Sequence, residues 1–250
     1  MTEIKICGLT RPRDVDLACA LGAAYLGFNF SALSPRRVTL DMARALGRAT
    51  RSGVARVGVF VHESAEEIGA AVEAAGLDLV QIHRPLSAQD LRRSPLPVIA
   101  VVGVSSNGAD AAPPELLARC RSVLCDTASP GRSGGTGTAF DWSLLVGKTW
   151  PVPLILAGGL DPGNVAEAIA CVHPSAVDVA SGVESSPGIK DENKMRLFFE
   201  AVREADALPL TARGSARGLP SPHSAPAATE GRASRSERPA GQGEAKKIER

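Results

Sequence analysis

Residues 3–29 read EIKICGLTRPRDVDLACALGAAYLGFN. An alternating run from Glu3 to Cys7 has the length of a strand and stops at Gly8. Pro12 then opens a helix-like run that ends at Leu21, because the fixed φ of proline suits a first helical turn. A second strand-like run occupies 24–28. Strand, helix and strand follow one another with short connections. Two strands joined through a helix run parallel, since a tight hairpin is the antiparallel solution.

The unit recurs along the chain. Short runs rich in Val, Ile and Leu fall at 3–7, 24–28, 55–60, 78–82, 97–103, 121–125, 152–157 and 176–180. Helix-like runs follow them at 12–21, 39–51, 64–75, 87–93, 113–119, 141–146, 162–171 and 190–204. Thr39 before Leu40-Asp41, and Asp161-Pro162, read as helix starts. The fifth helix is the weakest, with NGADAAPPELLARC (107–120) offering barely two turns. Eight such units in about 205 residues predict an α/β domain, a single closed (β/α)8 barrel of parallel strands at the small end of its size range. The same alternation also suits an open, doubly wound sheet.

Composition shifts near residue 205. Residues 206–250 are dominated by Ala, Pro, Gly, Ser and Arg and have no aromatic side chain. Such a segment cannot bury enough apolar surface to offset its ordering entropy, so the expectation is a disordered tail behind a catalytic domain at 1–205. A sharper reading makes its excess of positive charge an anion-docking segment.

The chain as a whole has 250 residues, 44% of them hydrophobic, and a net charge of +1. That balance points to no nucleic acid and no anionic membrane as partner. No basic leader precedes an apolar core, and no apolar run reaches the roughly eighteen residues of a membrane span. Five cysteines, an odd number without CxxC spacing, suit reduced thiols in a cytoplasm better than disulfides or a zinc site. The sequence leaves open whether the chain is a monomer or a homodimer.

In a barrel of this kind the chemistry sits where strands end. Those ends are small or polar here: Cys7-Gly8, Asn29, His83, Asp126-Thr127, Gly158-Gly159 and Ser181-Gly182. A thiol such as Cys7 becomes a base when neighbouring cations or amides lower its pKa, and otherwise is a small apolar filler. Asp126 closes the apolar run RSVLCD (121–126). A carboxyl shielded there has its pKa raised and can act as a general acid. Cys125, one residue earlier, points to the opposite face.

Gly158-Gly159 and Ser181-Gly182 end the last two strands, and loops at those places commonly bind phosphate in barrels. Arg36 and Arg37 follow strand two, where a guanidinium can grip a carboxylate. His83 ends LVQIH (79–83) as a candidate for a polar substrate group. Lys5 shares the parity of Cys7, and Asp178 lies on the strand that would close against strand one. Both are therefore expected inside as a pair, or neither. The long glycine-rich segment 127–142 reads as a lid or binding loop. No HxH, no strand-associated DxD and no GxGxxG after a strand is present, so neither a metal nor a dinucleotide is expected, and no cofactor is required. The pattern suits proton transfer on a small phosphorylated substrate.

These segments resemble phosphoribosylanthranilate isomerases. The likeness rests on KICG (5–8), SPRR (34–37), RVGVFV (56–61), VQIH (80–83), DT (126–127) with GGTGTAFDW (134–142), AGGLDPGNV (157–165) and VDVASGVESSPGIKD (177–191). They appear in order between about residues 3 and 204, and the tail lies outside them. The resemblance implies an Amadori rearrangement in tryptophan biosynthesis. Asp126 would protonate the furanose oxygen, Cys7 would remove the C2 proton, Arg36 would meet the anthranilate carboxylate, and Gly158-Gly159 and Ser181-Gly182 would hold the phosphate. His83 and Asp178 join the substrate-binding set.

Two stretches depart from the family's usual pattern. Arg84-Pro85-Leu86 replaces glycine and acidic residues after VQIH, and Ser31-Ala32-Leu33 stands where Tyr-Pro-Lys is common. Two other readings stay in view. A related histidine-pathway isomerase barrel would use an acidic pair, against which Cys7 speaks. A non-catalytic barrel would bind the phosphate without turnover.

Overall fold

A computed structural model of the chain describes residues 1–128 and 139–208. Eight strands form its centre: β1 (Glu3–Cys7), β2 (Tyr25–Asn29), β3 (Ala55–Phe60), β4 (Leu79–Ile82), β5 (Val98–Ser105), β6 (Ser122–Thr127), β7 (Leu154–Leu156) and β8 (Ala176–Val179). Each pairs in parallel with the next in chain order, and β8 pairs back onto β1. The sheet is therefore closed. That settles the choice between a barrel and an open sheet in favour of the (β/α)8 barrel.

The helices are α1 (Pro12–Leu21), α2 (Leu40–Ala49), α3 (Ala65–Ala75), α4 (Ala88–Arg93), α5 (Pro114–Leu117), α6 (Val165–Val172) and α7 (Glu192–Ala207). Their starts follow local chemistry. Pro12 sits in the first turn of α1. Thr39 accepts the Met42 N–H at the start of α2, and Ser64 and Glu67 form a reciprocal capping box on α3.

Several boundaries differ from the sequence reading. The sixth connection carries one 3₁₀ turn, Trp142–Leu145, rather than an α-helix. Gly147, at φ 76°, turns the chain two residues later, and prolines follow at 151 and 153. Helix α6 begins at Val165 instead of Pro162, because the Asp161 carbonyl first accepts from the N–H groups of Asn164 and Val165.

Helix α7 begins at Glu192 because residues 189 and 190 pair with Glu184–Ser186 in a hairpin turned at Gly188. It ends at Ala207, just past the expected domain boundary. Residues 129–138 of the expected lid and residues 209–250 of the expected tail lie outside the described residues.

The core has two shells. Inside the barrel, Tyr25, Val57, Leu79, Ile99, Leu124 and Ile155 pack together with Ala176. Outside it, the alternate residues face the helices; Ile6, Leu26, Phe28, Val80, Cys125 and Val177 are buried there with Phe198 and Phe199 of α7. Cys125 therefore points away from the interior, as its parity required. Above the apolar inner layer, toward the C-terminal ends, the interior turns polar: Lys5, Gln81, Asp126 and Asp178 are all buried. Strand parity delivers chemistry to one end of an otherwise apolar barrel.

Candidate active site

Lys5 and Asp178 are register partners across the β1–β8 seam, and Lys5 Nζ donates to Asp178 Oδ2 at 3.0 Å. Both are inside. Lys5 is fully enclosed, and an ammonium there is sustained by its carboxylate partner. Two residues further along β1, Cys7 faces the same way. Its Sγ lies over Gly27 of β2, where a Cβ would come within 2.8 Å of it. Burial pushes the Cys7 thiol above its ordinary pKa, while Lys5 and Lys190 pull it down. The flanking cations expected from the sequence are present, but desolvation outweighs them.

Asp126 ends β6 in the same polar layer. Burial, reinforced by the negative charge of Asp178, pushes its carboxyl up to about 6. The Thr127 N–H donates to Asp126 Oδ1 at 2.8 Å and fixes the carboxyl plane. His83 stands beside it, with Nε2 3.6 Å from Asp126 Oδ2. Burial and Lys5 lower the imidazole to about 4, so His83 is neutral at pH 7. Its Nδ1 lies 3.4 Å from Gln81 Nε2, an amide nitrogen that can only donate.

A cavity of about 430 Å³ opens next to these groups, walled by His83, Asp126, Thr127, Asp110, Pro113 and Leu116. Its volume and mixed lining suit a small organic molecule. Two buried acceptors in the polar interior, Gln81 Oε1 and Asp178 Oδ1, have no hydrogen-bond partner among the described residues. Buried acceptors of that kind are costly unless a donor reaches them.

The loops after β7 and β8 touch. A Cβ on Gly182 would strike the Leu160 carbonyl, and one on Gly158 would strike Thr127 Oγ1. Gly158 and Gly159 have φ values of 89° and 62°, a conformation that favours glycine. Asn164 folds back to donate to the Gly159 carbonyl at 2.9 Å. Gly182 is thus required by the packing of the two loops on each other, and Gly158 by the close approach of Thr127 at the end of β6, reasons the sequence did not disclose. Ser181 and Gly182 begin a 3₁₀ turn, Ser181–Val183, beside them.

Arg36 and Arg37 separate clearly. Arg37 is exposed, bridging to Asn29 in the backbone. Arg36 is buried, and its side chain lies against Gly8, next to Cys7. It is held by Glu184, which accepts from Nε at 2.9 and 3.1 Å and from Nη2 at 2.7 Å. Glu184 also accepts from Lys190 Nζ at 2.9 Å.

Sequence reading missed both Glu184 and Lys190, because they lie in a hairpin beyond the last strand, where parity gives no orientation. Arg84, the unusual residue after His83, pairs with Asp90 at the start of α4 and donates to the Val61 carbonyl. Its charge is spent on the barrel rim. Among the described residues no group of three or more His, Cys, Asp or Glu side chains is arranged to hold a metal ion.

Fold and mouth define a (β/α)8 enzyme of the proton-transferring kind. A family model for N-(5'phosphoribosyl)anthranilate (PRA) isomerase matches residues 4–201, and the chain belongs to that family. An N-(5'-phosphoribosyl)anthranilate isomerase of Pseudomonas fluorescens is 46% identical over 199 residues, covering 80% of this chain and 97% of the relative.

A solved phosphoribosylanthranilate isomerase in complex with reduced 1-(o-carboxyphenylamino)-1-deoxyribulose 5-phosphate superposes with a TM-score of 0.69 at 34% identity, covering 82% of this chain and all of that one. The monomers generated from the dimeric enzyme of Thermotoga maritima superpose at 0.68, with 34% identity and 82% and 100% coverage.

Proposed function

We propose that this chain converts N-(5-phosphoribosyl)anthranilate into 1-(2-carboxyphenylamino)-1-deoxyribulose 5-phosphate, an aldose–ketose isomerisation in tryptophan biosynthesis. One observation carries the residue assignment. An acid held protonated up to about pH 6 and a thiol flanked by two ammonium groups occupy one polar layer of the barrel mouth.

Asp126 gives its proton to the furanose ring oxygen. The C1–O bond breaks as the nitrogen lone pair forms C=N. Cys7, as thiolate, takes the proton from C2, and those electrons form C1=C2 and neutralise the iminium. The resulting enolamine becomes the ketone as its hydroxyl proton is lost and C1 gains one, so the atoms balance as an isomerisation requires. The raised thiol is no obstacle, because the iminium cation formed beside it favours the thiolate exactly when the base is needed. Each proton transfer contributes about 10²–10⁴ in rate.

The other residues bind. Arg36 meets the anthranilate carboxylate, and Asp178 and neutral His83 meet the sugar. The amides around Gly158-Gly159 and Ser181-Gly182 meet the phosphate, a small anion suited to a ring of backbone donors. The unpartnered acceptors on Gln81 and Asp178 supply places for ribose hydroxyls to donate.

No described helix is long and apolar enough to cross a membrane. We place the enzyme in the cytoplasm as a monomer or homodimer, its barrel, which takes in α7 to Ala207, followed by a tail. The functional test is rescue of a tryptophan-requiring bacterium lacking its own isomerase. Growth without tryptophan is expected; no growth with the folded chain present contradicts the assignment.

A further inference from the structure

The hairpin after β8 carries two buried charges, Glu184 and Lys190, that exchange no proton in the proposed reaction. Lys190 Nζ donates to three acceptors: the Cys7 carbonyl at 2.6 Å, the Ala180 carbonyl at 2.9 Å and Glu184 Oε1 at 2.9 Å. An ammonium has three N–H groups, so Lys190 is fully committed. It ties together the end of β1, the residue before the Ser181-Gly182 turn, and Glu184.

Glu184 is fixed from several sides. Besides Lys190 it accepts from the Gly188 N–H at 3.2 Å, and its own backbone carbonyl accepts from Lys194 Nζ at 2.9 Å. What remains of its carboxylate grips the Nε and Nη2 edge of Arg36.

A guanidinium has two edges able to form a bidentate pair with a carboxylate: one made by Nε and one Nη, the other by both Nη atoms. Glu184 occupies the first. Only the Nη1/Nη2 edge of Arg36 is left to grip a substrate. The charges agree. While Cys7 is a neutral thiol, Arg36 and Lys190 carry two positive charges against one negative on Glu184, leaving a net single positive charge in a buried cluster. One substrate carboxylate would neutralise it.

We infer that Glu184, anchored by Lys190, is a positioning residue that aims the free edge of Arg36 at the carboxylate on the substrate's aromatic ring and so sets the preference for a carboxylated arylamine. This rests on the proposed role of Arg36. Glu184 touches no reacting atom. It fixes the direction from which the carboxylate is gripped, and thereby the placement of the sugar over Cys7.

The experiment compares kcat/KM for N-(5-phosphoribosyl)anthranilate with that for the same phosphoribosylamine made from aniline, which lacks the carboxylate. Wild type, Arg36→Met, Glu184→Gln and Glu184→Asp are measured side by side, with melting temperatures. Wild type prefers the carboxylated substrate. Arg36→Met abolishes that preference. Glu184→Gln lowers it at least tenfold, mostly through KM, while turnover of the aniline substrate changes less than threefold. Glu184→Asp keeps the charge and recovers part of the preference; it also serves if the glutamine variant fails to fold.

A wild type without turnover of either substrate would count against the isomerase reading itself. Loss of preference in Arg36→Met, with wild-type preference retained in both Glu184 variants, would overturn the inference alone. Equal losses on both substrates would also overturn it, by making Glu184 merely structural.

Discussion

Lys5 and Asp178 face each other across the seam that closes the barrel, with their side chains meeting at 3.0 Å in the interior. The pair stands directly below Cys7, so one contact joins the closure of the sheet to the charge around the candidate base. Lys5 acts on the Cys7 thiol from this position. Removing either partner strands the other as a buried, uncompensated group, at a cost of about 3–5 kcal/mol. Asp178→Leu is expected to lower stability by that order in urea unfolding, and Lys5→Met/Asp178→Leu together to recover most of it. Equal instability in the single and double variants would contradict this.

Asp126 gives a stability prediction with a definite sign. Its folded pKa, about 6, lies above the value of roughly 3.9 for an unfolded aspartate. Between those values the folded state binds more protons, so stability falls as pH rises through the interval. The loss is on the order of 2–3 kcal/mol above pH 6. Asp126→Asn cannot ionise. It should therefore melt higher than wild type at pH 8 and at a similar temperature at pH 4. A variant less stable than wild type at pH 8 would show that the carboxylate is not strained there.

The same pKa shapes the activity profile. In the proposed mechanism the reactive form carries a protonated Asp126 and an ionised Cys7, whose pKa is the higher of the two. Below pH 6 the acid stays protonated while thiolate is lost tenfold per unit, so kcat/KM falls with decreasing pH. Between the two pKa values the opposing changes cancel, giving a plateau that ends at the thiol's pKa. Measured kcat/KM should thus rise up to about pH 6 and then level. A steady rise through pH 8 would mean that Asp126 is not the acid.

Gly182 separates packing from binding. A methyl group there would meet the Leu160 carbonyl and push the loops after β7 and β8 apart. Gly182→Ala is expected to raise KM at least tenfold and to weaken inhibition by inorganic phosphate. An unchanged KM would remove these loops from the phosphate site.

Strand order and parity were legible because short Val, Ile and Leu runs bounded by polar residues have one side-chain period. That period tied Lys5 to the face of Cys7, set Cys125 opposite Asp126, and left Lys5 and Asp178 either both inside or both outside; the closed barrel puts both inside. The period could not reach the hairpin carrying Glu184 and Lys190, where direction depends on the Gly188 turn. Nor could it separate Arg36 from Arg37, because the outcome hangs on Glu184, 148 residues away. The sixth helix failed because its residues are apolar enough for a helix but are cut short by Gly147. The thiol's raised pKa was hidden too, since it measures enclosure by the whole barrel.

The most direct measurement is the fluorescence decay of freshly made phosphoribosylanthranilate with wild type, Cys7→Ser and Asp126→Asn, each confirmed as folded. The account predicts rapid loss with wild type and a fall of about a hundredfold or more in each variant. No decay with folded wild type, or variants as fast as wild type, would contradict it.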